Sequence, residues 1–504
     1  MTDRSLRDFL ARLEAGGELV RVREPVSTVL EMTEIHRRVL AEGGPALLFE
    51  HPLLPGGQAA AMPVLVNLFG TVGRVALGLG RSADGLRELG RQLASLSQPR
   101  PFADWGEAVD GLPLLRRLLA ARPRNVRAAP VQEQVLTGAA IDLTRLPVQT
   151  CWPGEPAPLI TWPLVITRGP SRRPEDDVNM GVYRMQVTGR DTALVRWLPH
   201  RGGAQHHARW QAERGGPMPM AVAIGADPAS LLAAVTPVPD TLSEYHFSGL
   251  LRGAKLDLVP CRTVPLKVPA QAEIVLEGHV SAEQEPEGPY GDHTGYFNPP
   301  GTAPRFTVSA VTMRRRPIYL STFTGRPPDE PAILAAALNE VFVPLLARQF
   351  PEVTDVWLPP EACSYRVAVV AIRKAYPGHA RRVMMGFWSL LRQFTYTKIV
   401  IVVDDDIAIR DWREVVWALA TRMDPGRDAV ILENTPMDEL DFASPQPGLG
   451  GKLGLDATNK WPPETGRAWG APLAMDPEVT RAVTAKWAAL GLPCEGAPLP
   501  GRGA

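Results

Sequence analysis

The sequence predicts a multidomain α+β chain, and three observations lead there. With 504 residues it is too long for one ordinary hydrophobic core. Helical and strand patterns alternate at both ends of the chain. Between about residues 130 and 325 short β-rich runs crowd together instead.

Taken in order, Leu6, Phe9, Leu10 and Leu13 recur at helical spacing behind Ser5, an N-cap residue, and Gly16-Gly17 ends that helix. Residues 18–22 alternate like a strand. A second helix over 30–42 and the apolar run 46–49 extend the α/β pattern. Residues 105–125 read as helical, and Ala128-Ala129-Pro130 marks a boundary. The middle part has strand-like runs at 164–167, 183–187, 193–197, 220–224, 273–277 and 305–309, with helical stretches near 205–213 and 228–234. That pattern predicts an antiparallel barrel or sheet with inserted helices. Beyond 330 helices near 330–348, 378–393 and 411–422 alternate with strands at 353–358, 398–403 and 428–432. The run 398–403 is nearly all apolar, as a buried parallel strand should be. Residues 477–490 form a last amphipathic helix. The expected division is 1–128, 129–328 and 329–470, then a helix and tail over 471–504.

Composition narrows function by exclusion. Hydrophobic residues make up 45% and charged residues 21%, a globular balance. Lys+Arg 54 equals Asp+Glu 54, which argues against nucleic acid as a partner and against general attraction to anionic lipid. Peripheral membrane contact stays open. Cys151, Cys261, Cys363 and Cys494 lie far apart with no C-x-x-C, as free thiols in a reducing cytoplasm would. No apolar signal segment opens the chain, and no stretch reaches the ~18 apolar residues of a spanning helix. The G-x-G-x-x-G, G-x-x-x-x-G-K-[ST], H-E-x-x-H and G-x-S-x-G fingerprints are absent, which sets aside the commonest nicotinamide, nucleotide, zinc-protease and serine-hydrolase readings.

The most informative segment is Pro286-Glu287-Gly288-Pro289-Tyr290-Gly291-Asp292. Its glycines and prolines impose turn geometry, so backbone constraint holds Glu287 and Asp292, five apart. Neighbouring carboxylates in unlike surroundings can split their pKa values, one ionised and one holding a proton. An acidic surface turn is the plainer reading of these residues alone. Asn179, His200 and Glu244 can each ligate a metal, but separations of 21 and 44 residues match no local metal motif. Their plainer roles are a turn residue, a surface histidine beside Arg201, and a capping box in Thr241-Leu242-Ser243-Glu244. Arg184, Arg196, Arg201 and Lys255 bring positive charge to this region, and Arg201-Gly202-Gly203 offers unobstructed backbone N–H groups to a phosphate. His206-His207 reads as an exposed pair. Asp404-Asp405-Asp406 reads either as a strand-end ligand site or as a solvated loop.

Six blocks together resemble the UbiD family of (de)carboxylases, most closely its bacterial 3-polyprenyl-4-hydroxybenzoate decarboxylases. They are NMGVYR at 179–184, RWLPHRGG at 196–203, TPVPDTLSEY at 236–245, PEGPYGDHTGY at 286–296, TGRPPDEP at 324–331 and LDATNKW at 455–461. The resemblance implies an N-terminal α/β domain, a middle split β-barrel like that of flavin reductases, a C-terminal α/β domain, and a terminal helix used in oligomer contacts, in a homo-oligomer (dimer or hexamer). It implies prenylated FMN as cofactor, supplied by a partner flavin prenyltransferase, with its phosphate held through a manganese ion (Mn2+) and a potassium ion (K+). Position by position, Asn179, His200 and Glu244 match metal ligands. Val182, Tyr183, Arg184, Arg196, Trp197, Leu198, Arg201 and Gly202 match the cofactor-binding stretch, and Lys398 matches a lysine near the phosphate. Arg184, Glu287 and Asp292 match an Arg-Glu-acid network. The implied activity is decarboxylation of a small aromatic acid, 4-hydroxy-3-polyprenylbenzoate, to 2-polyprenylphenol in ubiquinone biosynthesis. The substrate forms a covalent adduct with the flavin, CO2 leaves, and Asp292 protonates the same carbon while Glu287 anchors Arg184. Cinnamate-type relatives have Glu where this chain has Asp292, a departure that fits the polyprenyl-hydroxybenzoate branch. The location implied is cytoplasmic, with peripheral contact at the inner membrane. Two alternatives stay open: another aromatic or unsaturated acid as substrate, and a flavin reductase, against which the intact acid pair argues.

Overall fold

The computed structural model describes residues 3–97, 118–171, 177–198, 201–236, 243–390, 394–471, 473 and 475–492. The helix expected over 105–125 falls largely outside them. The chain divides into two compact units, Met1–Leu345 with Pro360–Ser364 and Leu346–Pro359 with Tyr365–Ala504.

In the first unit, helix Leu6–Ala15 opens on a capping box between Ser5 and Asp8 and buries Leu6, Phe9, Leu10 and Leu13. Behind it lies a four-stranded sheet in the order Leu19–Val22, Ala46–Phe49, Val64–Val66, Tyr319–Leu320. The fourth strand returns from beyond the middle segment, so the N-terminal sheet is completed late in the chain. The middle segment is a nine-stranded antiparallel half-barrel. Its spine is the hairpin of Ile274–Glu287 and Gly301–Met313. Register shifts at Glu277/Gly278 and between Val280 and Gln284 break the regular ladder of these long strands. On one side follow Met218–Ile224, Leu164–Arg168 and Val178–Val182; on the other, Thr192–Val195, Met185–Val187 and Leu159–Ile160, with Gln134–Thr137 also paired to Gly301–Met313. One apolar core containing Leu6, Phe49, Val222, Leu276 and Val341 underlies both sheets.

The second unit carries a five-stranded sheet in the order Val353–Trp357, Val367–Ile372, Ile399–Asp404, Leu449–Ala457, Ala429–Pro436. Its three central strands are parallel. Val400, Val402 and Val403 are fully buried, as the apolar run predicted. Helix Pro477–Lys486 buries none of its residues on its own chain. Helix Glu330–Gln349 departs from expectation: it is long and apolar enough to cross a membrane, and 50% of that stretch is buried within the chain.

Candidate active site

Glu287 is not in the turn but is the last residue of strand Ile274–Glu287, opposite Gly301 and 1% exposed. Gly288 follows with φ +78°, where a side chain would be strained, and swings the chain into Pro289-Tyr290-Gly291-Asp292. Arg184, just past strand Val178–Val182, grips Glu287 with two prongs: Nε to Oε1 at 2.9 Å and Nη2 to Oε2 at 3.0 Å. Arg196 Nη1 adds a third bond to Oε2 at 3.0 Å. Arg184 Nη1 donates to Asn298 Oδ1 at 3.0 Å, an oxygen that also accepts the Tyr290 N–H at 3.1 Å. The guanidinium carbon lies 5.3 Å from the Tyr290 ring centroid. Arg184 is therefore fixed before any ligand arrives.

Asp292 is 6% exposed. His293 Nδ1 lies 2.6 Å from its Oδ1, and the Thr294 N–H donates to the same atom at 3.1 Å. Burial pushes the Asp292 carboxyl up, but His293, the Thr294 N–H and Arg184 outweigh burial and hold it below the ordinary carboxylate range. The residue expected to carry a proton thus rests ionised at neutral pH.

Beside this loop, helix Gly202–Glu213 starts at Arg201 with no side-chain cap. A Cβ on Gly202 would lie 2.1 Å from Asn179 Oδ1, and one on Gly203 would lie 2.9 Å from the Trp197 ring. The glycine pair lets the positive end of the helix close on the strand that bears Asn179. Tyr183 Oη accepts the Gly203 N–H at 3.2 Å and Asn179 Nδ2 at 3.3 Å. The Trp197 ring stands edge-on to Tyr183 at 6.2 Å, and Leu198 follows it. Glu244 opens helix Glu244–Arg252 behind the N-cap Ser243, whose Oγ lies 2.7 Å from His246 Nδ1 and caps no backbone N–H; Thr241 of the expected capping box lies outside the described residues, and Glu244 Oε2 accepts the Met180 N–H at 3.0 Å. Asn179 and Glu244 thus meet at consecutive backbone positions, 179 and 180. His200 lies outside the described residues. Among the described residues no three His, Cys, Asp or Glu side chains converge to hold a metal; the expected set counts one asparagine and one histidine outside that description. Two oxygen donors beside an uncapped, glycine-opened helix end fit a hard cation next to a phosphate.

The remaining expected residues have these surroundings. Lys398 is in the second unit, where its Nζ meets Asp441 Oδ2 at 2.8 Å. Lys255 lines a cavity with Arg124 and Arg252, just past the C-terminal end of helix Glu244–Arg252. His206 is buried, not exposed, with Nδ1 3.0 Å from Thr167 Oγ1 and Nε2 3.2 Å from Asp177. Sequence reasoning missed Trp152, Glu155, His293 and Asn298. The Trp152 ring fills the space where a Cβ on Gly291 or Gly325 would stand, and its Nε1 donates to Thr324 O at 2.8 Å. Glu155 accepts the Cys151 N–H at 2.7 Å and the Gly291 N–H at 3.4 Å, and burial pushes its carboxyl up. A tryptophan and a glutamate flanking the Pro153-Gly154 turn were the available signal.

Three consecutive family models match the chain: the N-terminal domain of 3-octaprenyl-4-hydroxybenzoate carboxy-lyase over residues 10–93, its Rift-related domain over 124–327 and its C-terminal domain over 332–457. The UbiD-class enzyme HmfF from Pelotomaculum thermopropionicum, solved with FMN, is 33% identical over 93% of this chain and 97% of its own, with a TM-score of 0.76. An evolved dimeric form of HmfF, solved with prFMN, is 31% identical over 93% of this chain and 97% of its own, with a TM-score of 0.75. The vanillic acid decarboxylase of Sedimentibacter hydroxybenzoicus in closed form is 29% identical over 97% of this chain and 99% of its own, with a TM-score of 0.83. With the family's domains matched in order along the chain and the acid loop assembled in the middle one, the chain belongs to the UbiD family and is a carboxy-lyase.

Proposed function

We propose that the chain decarboxylates a hydroxylated aromatic acid with prenylated FMN as cofactor, and that its substrate is a 4-hydroxy-3-polyprenylbenzoate, as in ubiquinone synthesis. The observation that carries the reading is the ion pair of Arg184 with buried Glu287, joined to Asp292 by one turn. It offers a fixed cation for a substrate carboxylate and a carboxyl group for a proton on one constrained loop. Glu287 keeps Arg184 placed, Arg184 orients the carboxylate that leaves as CO2, and Asp292 protonates the carbon left behind.

When bound, prenylated FMN supplies the electron sink that decarboxylation at an sp2 carbon needs. Arg201 and Gly202 would hold its phosphate, with Asn179, His200 and Glu244 around a manganese ion and a potassium ion nearby. Val182, Tyr183, Arg196, Trp197 and Leu198 would line the flavin. HmfF, solved with FMN and in evolved form with prFMN, supports this choice. A partner flavin prenyltransferase would supply the cofactor, and the terminal helix Pro477–Lys486 would dock a second copy of the chain.

The polyprenyl substrate is supported by the family description that matches in all three parts of the chain. A short hydroxybenzoate is the second reading, favoured by 29% identity to a vanillic acid decarboxylase across 97% of the chain. The test is co-expression with a flavin prenyltransferase, a flavin absorbance spectrum, then CO2 release from a 4-hydroxy-3-polyprenylbenzoate, vanillate and 3,4-dihydroxybenzoate. Release from the prenylated acid alone supports the first reading and release from vanillate the second. Protein that retains no flavin removes both.

A further inference from the structure

The ionised state of Asp292 leaves a question of supply. Decarboxylation consumes one proton per turnover, yet the residue placed to deliver it is a carboxylate at rest and is 6% exposed. Among the described residues two hydrogen donors reach its side chain, the Thr294 N–H at 3.1 Å and His293 Nδ1 at 2.6 Å. A peptide N–H does not titrate; an imidazole does. The His293 side chain is 20% exposed against 6% for the Asp292 carboxylate, so the ring spans the step from solvent to the buried acid.

We propose that His293 is the proton relay of this site: it takes a proton from solvent and passes it through Nδ1 to Asp292 Oδ1. The inference rests on the reading of Asp292 as proton donor. As CO2 leaves, the bonding electron pair stays on the ring carbon. The O–H bond of protonated Asp292 breaks and a C–H bond forms. The carboxylate then takes the Nδ1 proton of imidazolium, which leaves neutral imidazole with its Nε2–H, and a proton from water returns to Nδ1 before the next turnover. One proton enters for each CO2 released, so the step balances with water as the only co-reactant.

The charged groups around the pair fit this traffic. Arg184 faces Asp292 and favours its return to carboxylate. Asp329, buried just before helix Glu330–Gln349, feels both His293 and Asp292; burial pushes it up to about 6, against the Ala332 and Gly325 N–H groups. A carboxyl that titrates near 6 adds negative charge around His293 as the pH rises, which favours imidazolium. Arg326 packs its backbone and Cβ against Gly295 of the same turn. Glu155 is bonded one residue earlier, to the Gly291 N–H.

The test uses flavin-loaded full-length protein and the acid of the panel turned over fastest. His293→Asn keeps a side chain able to donate to Asp292 but no titratable proton; kcat should fall about 10- to 100-fold with flavin retained and KM changed less than about threefold. The pH–rate profile should lose one ionisation. His293→Ala should fall at least as far and recover with added imidazole, which a purely structural histidine would not allow. Wild-type kcat and pH profile in His293→Asn, or a flavin-loaded His293→Ala that imidazole does not rescue, overturns the relay. If alanine abolishes flavin retention, His293→Gln carries the same expectation as His293→Asn. Asp292→Asn separates the two claims: an active Asp292→Asn sinks the donor reading itself, whereas an inactive one with an unaffected His293→Asn sinks only the relay.

Discussion

At the end of strand Ile399–Asp404 consecutive aspartates meet Arg422; at the end of strand Ile274–Glu287 two carboxylates meet Arg184. In the first place every acid is engaged. Arg422 Nη1 reaches Asp404 at 2.9 Å and Asp406 at 2.8 Å, and Nη2 reaches Asp406 at 2.6 Å. Asp405 takes Arg373 at 3.2 Å, and the Asn459 N–H closes on Asp404 at 2.6 Å. Lys374 then ties Asn459 O to Glu464. In the second place Glu287 is as fully engaged, by Arg184 and Arg196, but among the described residues no guanidinium is bonded to Asp292. Its side-chain partners among them are one peptide N–H and one imidazole. The run of three acids has its carboxylates locked by arginines that never lose a proton. The loop at 286–292 keeps one carboxylate whose partner can trade a proton, which is what the proposed chemistry needs.

The strongest way to break this comparison is to neutralise one acid in each place. Asp292→Asn should lower kcat by ~10²–10⁴-fold while flavin stays bound, read by CO2 release. Turnover at the wild-type rate would make Asp292 as structural as Asp404. Arg422→Ala should leave buried Asp404 and half-buried Asp406 without that guanidinium and cost ~3 kcal/mol, read by denaturant unfolding. Lost turnover at unchanged stability would instead make that edge a site. A smaller effect belongs to the packing behind the loop. A Cβ on Gly291 would stand 2.2 Å from Trp152 Cδ1, so Gly291→Ala must displace the indole or the loop. That should cost ~1–3 kcal/mol and lower kcat through Asp292, and the double variant with Trp152→Phe should recover part of it.

Much of the fold was legible because it depends on local period. Leu6, Phe9, Leu10 and Leu13 sit on one face of their helix, and the run ending at Asp404 is a strand buried on both sides. Strand Tyr319–Leu320 was not legible: it is two residues long and owes its pairing to Val64 and Leu65, far away in the chain. Glu287 looked like a turn residue because Pro286, Gly288, Pro289 and Gly291 surround it, while the ladder to Gly301–Met313 resumes after its register shifts and carries the strand on to Glu287. In the site, Glu287 and Asp292 stood out as a constrained pair and Arg184 joined them through the family blocks. The Arg184–Glu287 bond crosses 103 residues and depends on sheet register, which no local pattern encodes. Asn298 and Glu155 escaped for the same reason, whereas His293 adjoins Asp292 in the chain and only the turn geometry shows its ring on that carboxylate. His206 was misjudged with His207 because neighbours on a helix point ~100° apart, so one turned inward to Thr167 and Asp177.

A buried acid that holds its proton gives the subtlest contrast with Asp292. Glu330 begins helix Glu330–Gln349 and is fully buried; its Oε1 accepts the Phe69 N–H at 2.7 Å and its Oε2 lies 3.5 Å from His36 Nε2. Burial pushes Glu330 up to about 7 and His36 down to about 3, so at pH 6 the one proton of the pair sits on Glu330. The signs oppose. Glu330 has its folded pKa above the unfolded 4.5, so its contribution is fully present below 4.5 and is lost as pH rises through about 7. His36 has its folded pKa below the unfolded 6.5, so stability rises with pH between about 3 and 6.5. Between about 4.5 and 6.5 the two slopes cancel in the native chain. Glu330→Gln removes one of them and keeps the acceptor for the Phe69 N–H. Its unfolding free energy should then climb with pH across that window by at most ~1.4 kcal/mol per pH unit, seen as a rising Tm. The reason is that His36 alone must shed its proton to fold. A Tm profile parallel to the wild type would mean that burial does not hold His36 neutral, and the opposed slopes of the pair would fall with it.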